Sequence, residues 1–185
     1  MSGAYGFPNR VISEVVSELI NHEEFCKFLY YLQEAEGLDI LSLPTPDSRD
    51  ILNKYLYVGR RVYPVAHDSS SYVMVRMDDF KPEDFNSEKI RLVDIEVTIL
   101  VHNNFITTSN GTRDCALVSA VIDALDGKKL GGIGGCRIIR VNDILGLPVD
   151  YSGYKVICRV KGFPNAMVEL ERKVPTDTGA DSWFR

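Results

Sequence analysis

Residues 90–102 read IRLVDIEVTILVH, and the alternation within them decides the fold. Val93, Ile95, Val97, Ile99 and Val101 fall on one side of an extended chain, with Asp94, Glu96 and Thr98 on the other. Period-two alternation is the pattern of a strand with one face in a core. The polar face is expected to meet water or another subunit, because an antiparallel sheet can leave one side solvated. A long, regular strand needs neighbours, and the flanking sequence supplies them. Tyr72–Met77 is a short run rich in β-branched residues, Cys136–Val141 is a second candidate, and Tyr154–Val160 alternates again. Residues 60–67 also alternate, but Pro64 restricts that piece to an edge or a strand end.

Helical periodicity appears on both sides of this strand. Val11, Ile12, Val15, Val16, Leu19 and Ile20 form an apolar stripe behind Pro8, which suits a first helical turn. A second helix opens with Glu23 and Glu24, carries Phe25, Phe28, Leu29 and Leu32, and is expected to run until Gly37. A proline-punctuated connection follows at residues 39–47, then a short helix from Ser48 to Tyr57 with Ser48 as its cap. After the polar loop His102–Thr112, Thr112 is placed to cap a helix whose stripe is Leu117, Val118, Val121, Ile122 and Leu125. Arg113, Ser119, Asp123 and Asp126 lie opposite that stripe. Residues 142–153 read as a second long loop.

Strands and helices do not alternate strictly. The fold class is therefore α+β: a small, mostly antiparallel sheet with helices packed on one face, preceded by an N-terminal helical region. The divisions are residues 1–58 (helical region), 59–168 (α+β core) and 169–185 (C-terminal tail).

Between the helix and the next strand stands GKKLGGIGG, Gly127 to Gly135. A phosphate-binding loop needs G-x-x-x-x-G-K-[ST] leading from a strand into a helix, so that backbone amides converge on the anion. Here the order is reversed, and neither lysine is followed by Ser or Thr. The stretch reads as a helix-to-strand hinge. Gly127 occupies the left-handed position after the helix, and Lys128 and Lys129 lie beside its negative end, where a cation gains ~0.3–1 kcal/mol.

The totals narrow the function classes. The chain has 185 residues, 45% hydrophobic and 25% charged, with net charge −5. Such a length buries roughly 70% of its unfolded surface without a metal or disulfide staple. The acid excess gives no chain-wide attraction to nucleic acid or anionic membrane, which leaves only a local basic patch open. The start MSGAYGFPNR lacks a secretion pattern, and apolar runs such as Ile99-Leu100-Val101 fall far short of the ~20 residues that span a bilayer. Cys26, Cys115, Cys136 and Cys158 form no CxxC pair, sit among apolar neighbours and are expected to be buried, reduced thiols. His22 and Cys26 share a helix face, but two ligands do not make a zinc site.

Catalytic signatures are missing from the sequence: no G-x-S-x-G elbow and no H-E-x-x-H motif occurs. Asp94 and Glu96 have the spacing of a carboxylate pair on one strand face, and with Arg113 they are the candidates for a dispersed enzyme site. Strand alternation alone explains the two acids. The expectation is a chain that is not an enzyme, with no catalytic residues, cofactor or metal.

Taken together, these segments resemble the neck and tail-completion proteins of tailed bacteriophages, in particular the tail terminators. The resembling core runs from Ile90 to Phe163: IRLVDIEVTILVH, a polar loop, RDCALVSAVIDALDG, the GGIGG turn, CRIIRV and YKVICRVKGF. NHEEFCKFLYYL, a Pro-rich link and RRVYP add to the likeness. The resemblance implies a structural virion protein, assembled in the host cytoplasm, that forms a hexameric ring at the head-proximal end of the tail. It implies contacts with other copies and with neck, connector and tail-tube proteins. DNA would pass through the lumen without specific binding, and no membrane is involved. The residues assigned to subunit or partner contact are Asn104, Phe105, Asp94, Glu96, Trp183 and Phe184. A head-completion or stopper protein of the same neck, or a cytosolic protein-binding adaptor, are the alternative roles.

Overall fold

The computed structural model describes residues 6–32, 39–59, 70–85, 88–108 and 111–162. The expected alternating piece at residues 60–67 and the C-terminal tail with Trp183 and Phe184 lie outside these residues. Four helices are described: α1 (Gly6–Asn21), α2 (Glu23–Tyr30), α3 (Ser48–Ile51) and α4 (Arg113–Leu125). The strands are β1 (Leu56–Val58), β2 (Tyr72–Phe85), β3 (Glu88–His102), β4 (Thr107–Thr108), β5 (Gly111–Thr112), β6 (Lys129–Leu130), β7 (Gly134–Asp143) and β8 (Tyr151–Gly162). Six strands form one sheet in the order β1-β2-β3-β8-β7-β6, and β4 with β5 makes a separate two-stranded hairpin.

The deciding stretch is the centre of that sheet. Val93, Ile95, Val97, Ile99 and Val101 are all fully buried. They meet Phe7, Val11, Val15 and Leu19 of α1, Phe25 and Leu29 of α2, and Leu117, Val121 and Leu125 of α4 in one hydrophobic core. Every pairing in the large sheet is antiparallel except β1 with β2. The fold is thus α+β with an N-terminal helix, and the helices of the N-terminal region share the sheet's core. The sheet is larger than the sequence suggested, since β2 extends to Phe85 and β8 runs from Tyr151 to Gly162.

Several element ends differ from expectation for identifiable reasons. Helix α2 stops at Tyr30 rather than Gly37, with Tyr31 extended at φ −83°. The carbonyls near its end are taken by the Arg113 guanidinium, so a further helical turn is not needed to satisfy them. Helix α3 is one turn long, and its cap is Asp47, which accepts from the Arg49 amide at 2.9 Å. Carboxylates and hydroxyls are both good N-caps, so Asp47 and Ser48 were hard to separate by residue type. Thr112 holds the N-cap position of α4 without a side-chain cap bond.

The two expected long loops are shorter and more ordered. Asn103–Phe105 forms a 3-10 turn, and β4 and β5 complete the connection into α4. Strand β7 continues to Asp143, which leaves only residues 144–150 between it and β8. Gly127 follows α4 at φ +73°, as the hinge reading requires. Cys26, Cys136 and Cys158 are buried, but Cys115 is exposed. Position 115 faces away from the stripe formed by Leu117, Val121 and Leu125, so apolar sequence neighbours did not decide its burial.

Candidate functional site

The helices cover one face of the sheet, and the other face carries most of its charged chemistry. Alternation places Asp94, Glu96 and Thr98 there, yet they are only 8%, 4% and 6% exposed. Cross-strand register explains the burial, because Arg76 of β2 stands opposite Glu96 and Arg159 of β8 stands opposite Asp94. Arg76 donates to Glu96 through Nε at 2.9 Å and Nη2 at 2.8 Å. Arg159 grips Asp94 in the same bidentate manner, both bonds at 2.7 Å. Thr98 donates to Glu96 at 2.7 Å, and the Lys155 ammonium lies 3.6 Å from it. Such planar fork-to-carboxylate pairs are the strong, geometrically exact kind.

Electrostatics follow from this arrangement. Burial by itself raises the Glu96 carboxyl, but bonds from Arg76 and Thr98 and the charges of Arg76 and Lys155 outweigh it. The result is a pKa below the ordinary carboxylate value, and the bond to Glu96 raises that of Arg76. The two acids are therefore satisfied within one subunit. A neighbour approaching this face meets the Arg76 and Arg159 side chains, 33% and 39% exposed, before the carboxylates.

Arg113 does not join Asp94 and Glu96. It belongs to the helix layer, on the opposite side of the sheet, so the candidate enzyme constellation is not assembled. Its side chain is 1% exposed, although the sequence reading set it on the outer side of α4. The guanidinium donates to the carbonyls of Phe105 at 2.8 Å, Phe28 at 2.6 Å and Leu32 at 3.0 Å, and also to that of Tyr31. One cation thereby ties α2 and the 103–105 turn to the start of α4. A signal for this was present: a cation at the positive end of a helix is unfavourable unless other acceptors hold it.

The remaining candidates separate likewise. Asn104 is exposed and its amide donates to Nδ1 of His102 at 3.2 Å. Phe105 is half-buried beside the His102 ring. His22 uses Nδ1 to accept from the Phe25 amide, and the Cys26 thiol bonds to the Ile20 carbonyl at 3.2 Å, so that pair serves helix ends. Burial lifts the Cys26 thiol to about 11, which keeps it protonated. Among the described residues no three His, Cys, Asp or Glu side chains converge as metal ligands. No described helix is long and apolar enough to cross a membrane.

Beyond Thr98 the same face becomes apolar. Tyr72, Leu100 and Tyr151 pack with Tyr57, Met74, Ile144 and Leu147, and His102 stacks edge-on against Tyr151 at 5.0 Å. The face can bind by contact and charge.

No curated protein matches the chain. Solved structures similar to it include a chain of the "Virion of native gene transfer agent (GTA) particle", at 18% identity and a TM-score of 0.45. That match covers 60% of this chain and 79% of the other. A family model described as YomW matches residues 22–160, and the chain belongs to this phage-associated family.

Proposed function

From that membership we propose that the protein is a structural component of a tailed-phage or phage-like virion, and within it a tail terminator. Six copies would form a ring at the head-proximal end of the tail, joining it to the head or connector. The observation that carries the reading is membership of a phage-associated family over most of the chain. The side-chain chemistry supports it. The charged groups on the open face bond to one another, Arg76 with Glu96 and Arg159 with Asp94. In this reading the surface serves contact, and the role assigned to the protein is structural. Its partners are its own copies and the neck, connector and tail-tube proteins, with DNA passing through the lumen.

Deleting the gene from the producing phage or prophage tests this. The expected outcome is DNA-filled heads and separate tails, with the protein recovered from complete wild-type particles by mass spectrometry. Joined, infectious particles that form without the protein would sink the proposal.

A further inference from the structure

The two long edges of the sheet carry opposite charge. On the β2 side, β1 pairs only with Val73, Met74 and Val75. From Arg76 to Phe85 the outer edge of β2 has no strand partner among the described residues. The sequence of that open stretch, from Arg76 to Phe85, holds Asp78, Asp79, Glu83 and Asp84 against Arg76 and Lys81, a net of −2. On the far side, β6 pairs only with Gly134 and Gly135. The Cys136 amide bonds to the Lys128 carbonyl and the Ile138 amide to Asp126, which leaves Ile139–Asp143 without an outer strand partner among the described residues. The segment Asp126–Asp143 holds Lys128, Lys129, Arg137 and Arg140 against Asp126 and Asp143, a net of +2.

Each edge also exposes large apolar side chains: Met77 at 40% and Phe80 at 37% on β2, Ile139 at 44% and Val141 at 39% on β7. Open strands usually carry charge to prevent pairing with another chain. Charge of one sign on both edges would repel every self-association. Opposite signs act differently: they repel β2 from β2 and β7 from β7, and favour only β7 with β2. Edge-to-like-edge contacts build two-fold dimers, whereas edge-to-opposite-edge contacts are heterologous and build rings or filaments.

We propose that the β7 edge of one copy docks on the β2 edge of the next. The sheet then continues from subunit to subunit, with Ile139 and Val141 against Met77 and Phe80 and the charges flanking them. This specifies the interface of the proposed ring and rests on that reading only for closure into six.

Charge reversal on each edge tests it. Arg137→Glu with Arg140→Glu makes both edges acidic; Asp78→Lys with Asp79→Lys makes both edges basic. Native mass spectrometry at low salt should show wild-type oligomers that dissociate as salt screens the edges. Each variant alone should run as the 20.8 kDa chain with an unchanged melting transition. An equimolar mixture of the two should reassemble with one-to-one composition, a rescue that misfolded variants cannot produce.

Wild type that stays monomeric, variants that keep the wild-type mass, or folded variants that fail to reassociate would each overturn the edge pairing. So would duplex DNA retained by wild type and lost by the β7 variant with no change in oligomeric mass, which assigns the basic edge to nucleic acid. The outcomes stay separate from those of the function itself. Protein present in particles but insensitive to reversal defeats only the edge pairing, and reversible edge association in a protein absent from particles defeats only the virion role.

Discussion

Arg113 and Glu96 each gather several hydrogen bonds onto one side chain. Arg113 satisfies four backbone carbonyls, three of them from residues 28–32, distant in sequence, and one from Phe105. Arg113→Met keeps the apolar stem but leaves those part-buried carbonyls without their donor, each at up to about 1–3 kcal/mol. A loss of about 3–5 kcal/mol is expected, enough to remove much of the stability of an ordinary domain. Arg113→Lys should recover only a small part, because an ammonium cannot copy the planar fork. Urea unfolding of the three proteins checks this, and a lysine variant as stable as wild type would contradict it. Glu96 makes a prediction about pH. Its folded pKa lies below the ordinary 4.5, so its contribution is fully present above that value and is lost as pH falls through the folded pKa. Glu96→Gln should lower stability at neutral pH and flatten the acid limb below about pH 4.5, where the wild type weakens and the variant does not. Parallel acid limbs in the two proteins would show that Glu96 is not part of the acid response.

At the scale of elements, the glycine stretch shows how much of the fold was legible. Its role as a hinge followed from order alone, helix before strand, and Gly127 at φ +73° agrees. Gly127→Val forces a β-branched residue into the left-handed region and should cost at least ~1 kcal/mol, although open space surrounds the site. Lys128→Ala with Lys129→Ala should change the melting temperature little. Gly134 has a different constraint that no local pattern reveals. A Cβ there would sit 1.7 Å from the Lys161 carbonyl oxygen, because β7 crosses β8 closely at Gly134 and Gly162. Gly134→Ala should therefore destabilise more than Gly127→Ala; the opposite order in thermal melts would refute the close approach. The central strand and the core stripe of α1 were equally plain, since each is a local period. The ends of α2 and α3, the extent of β2 and β8 and the burial of Arg113 were not. The end of α2 depends on Arg113, far away in sequence, the length of β8 on its distant partner β3, and the length of β2 on pairing with the adjoining β3. The burial of Asp94 and Glu96 has the same origin, because alternation gives a face but not the arginines that register brings across it.

For the whole molecule, assembly is the open physical quantity, and the sequence carries its own probe. Trp183 is the single tryptophan, followed by Phe184, and both lie outside the described residues. The segment before them, PTDTGA from Pro175 to Ala180, is small and polar and offers little to a core. Packed aromatic side chains bury 150–250 Å² each, so two adjacent ones are a natural anchor on a neighbouring surface. We propose that they supply such an anchor between subunits or onto an adjoining ring. Tryptophan emission then reports assembly directly: long-wavelength in the isolated subunit, shifted toward the blue when copies associate. Trp183→Phe should preserve assembly. Trp183→Ala with Phe184→Ala should leave the unfolding of the isolated subunit unchanged and lower the oligomer yield. The charge-reversed β7 variant adds the decisive control, because it should hold the emission at long wavelength even at concentrations where wild type is blue-shifted. Emission that stays constant while native mass spectrometry records wild-type oligomers would remove the anchor and leave the sheet edges as the sole proposed contact.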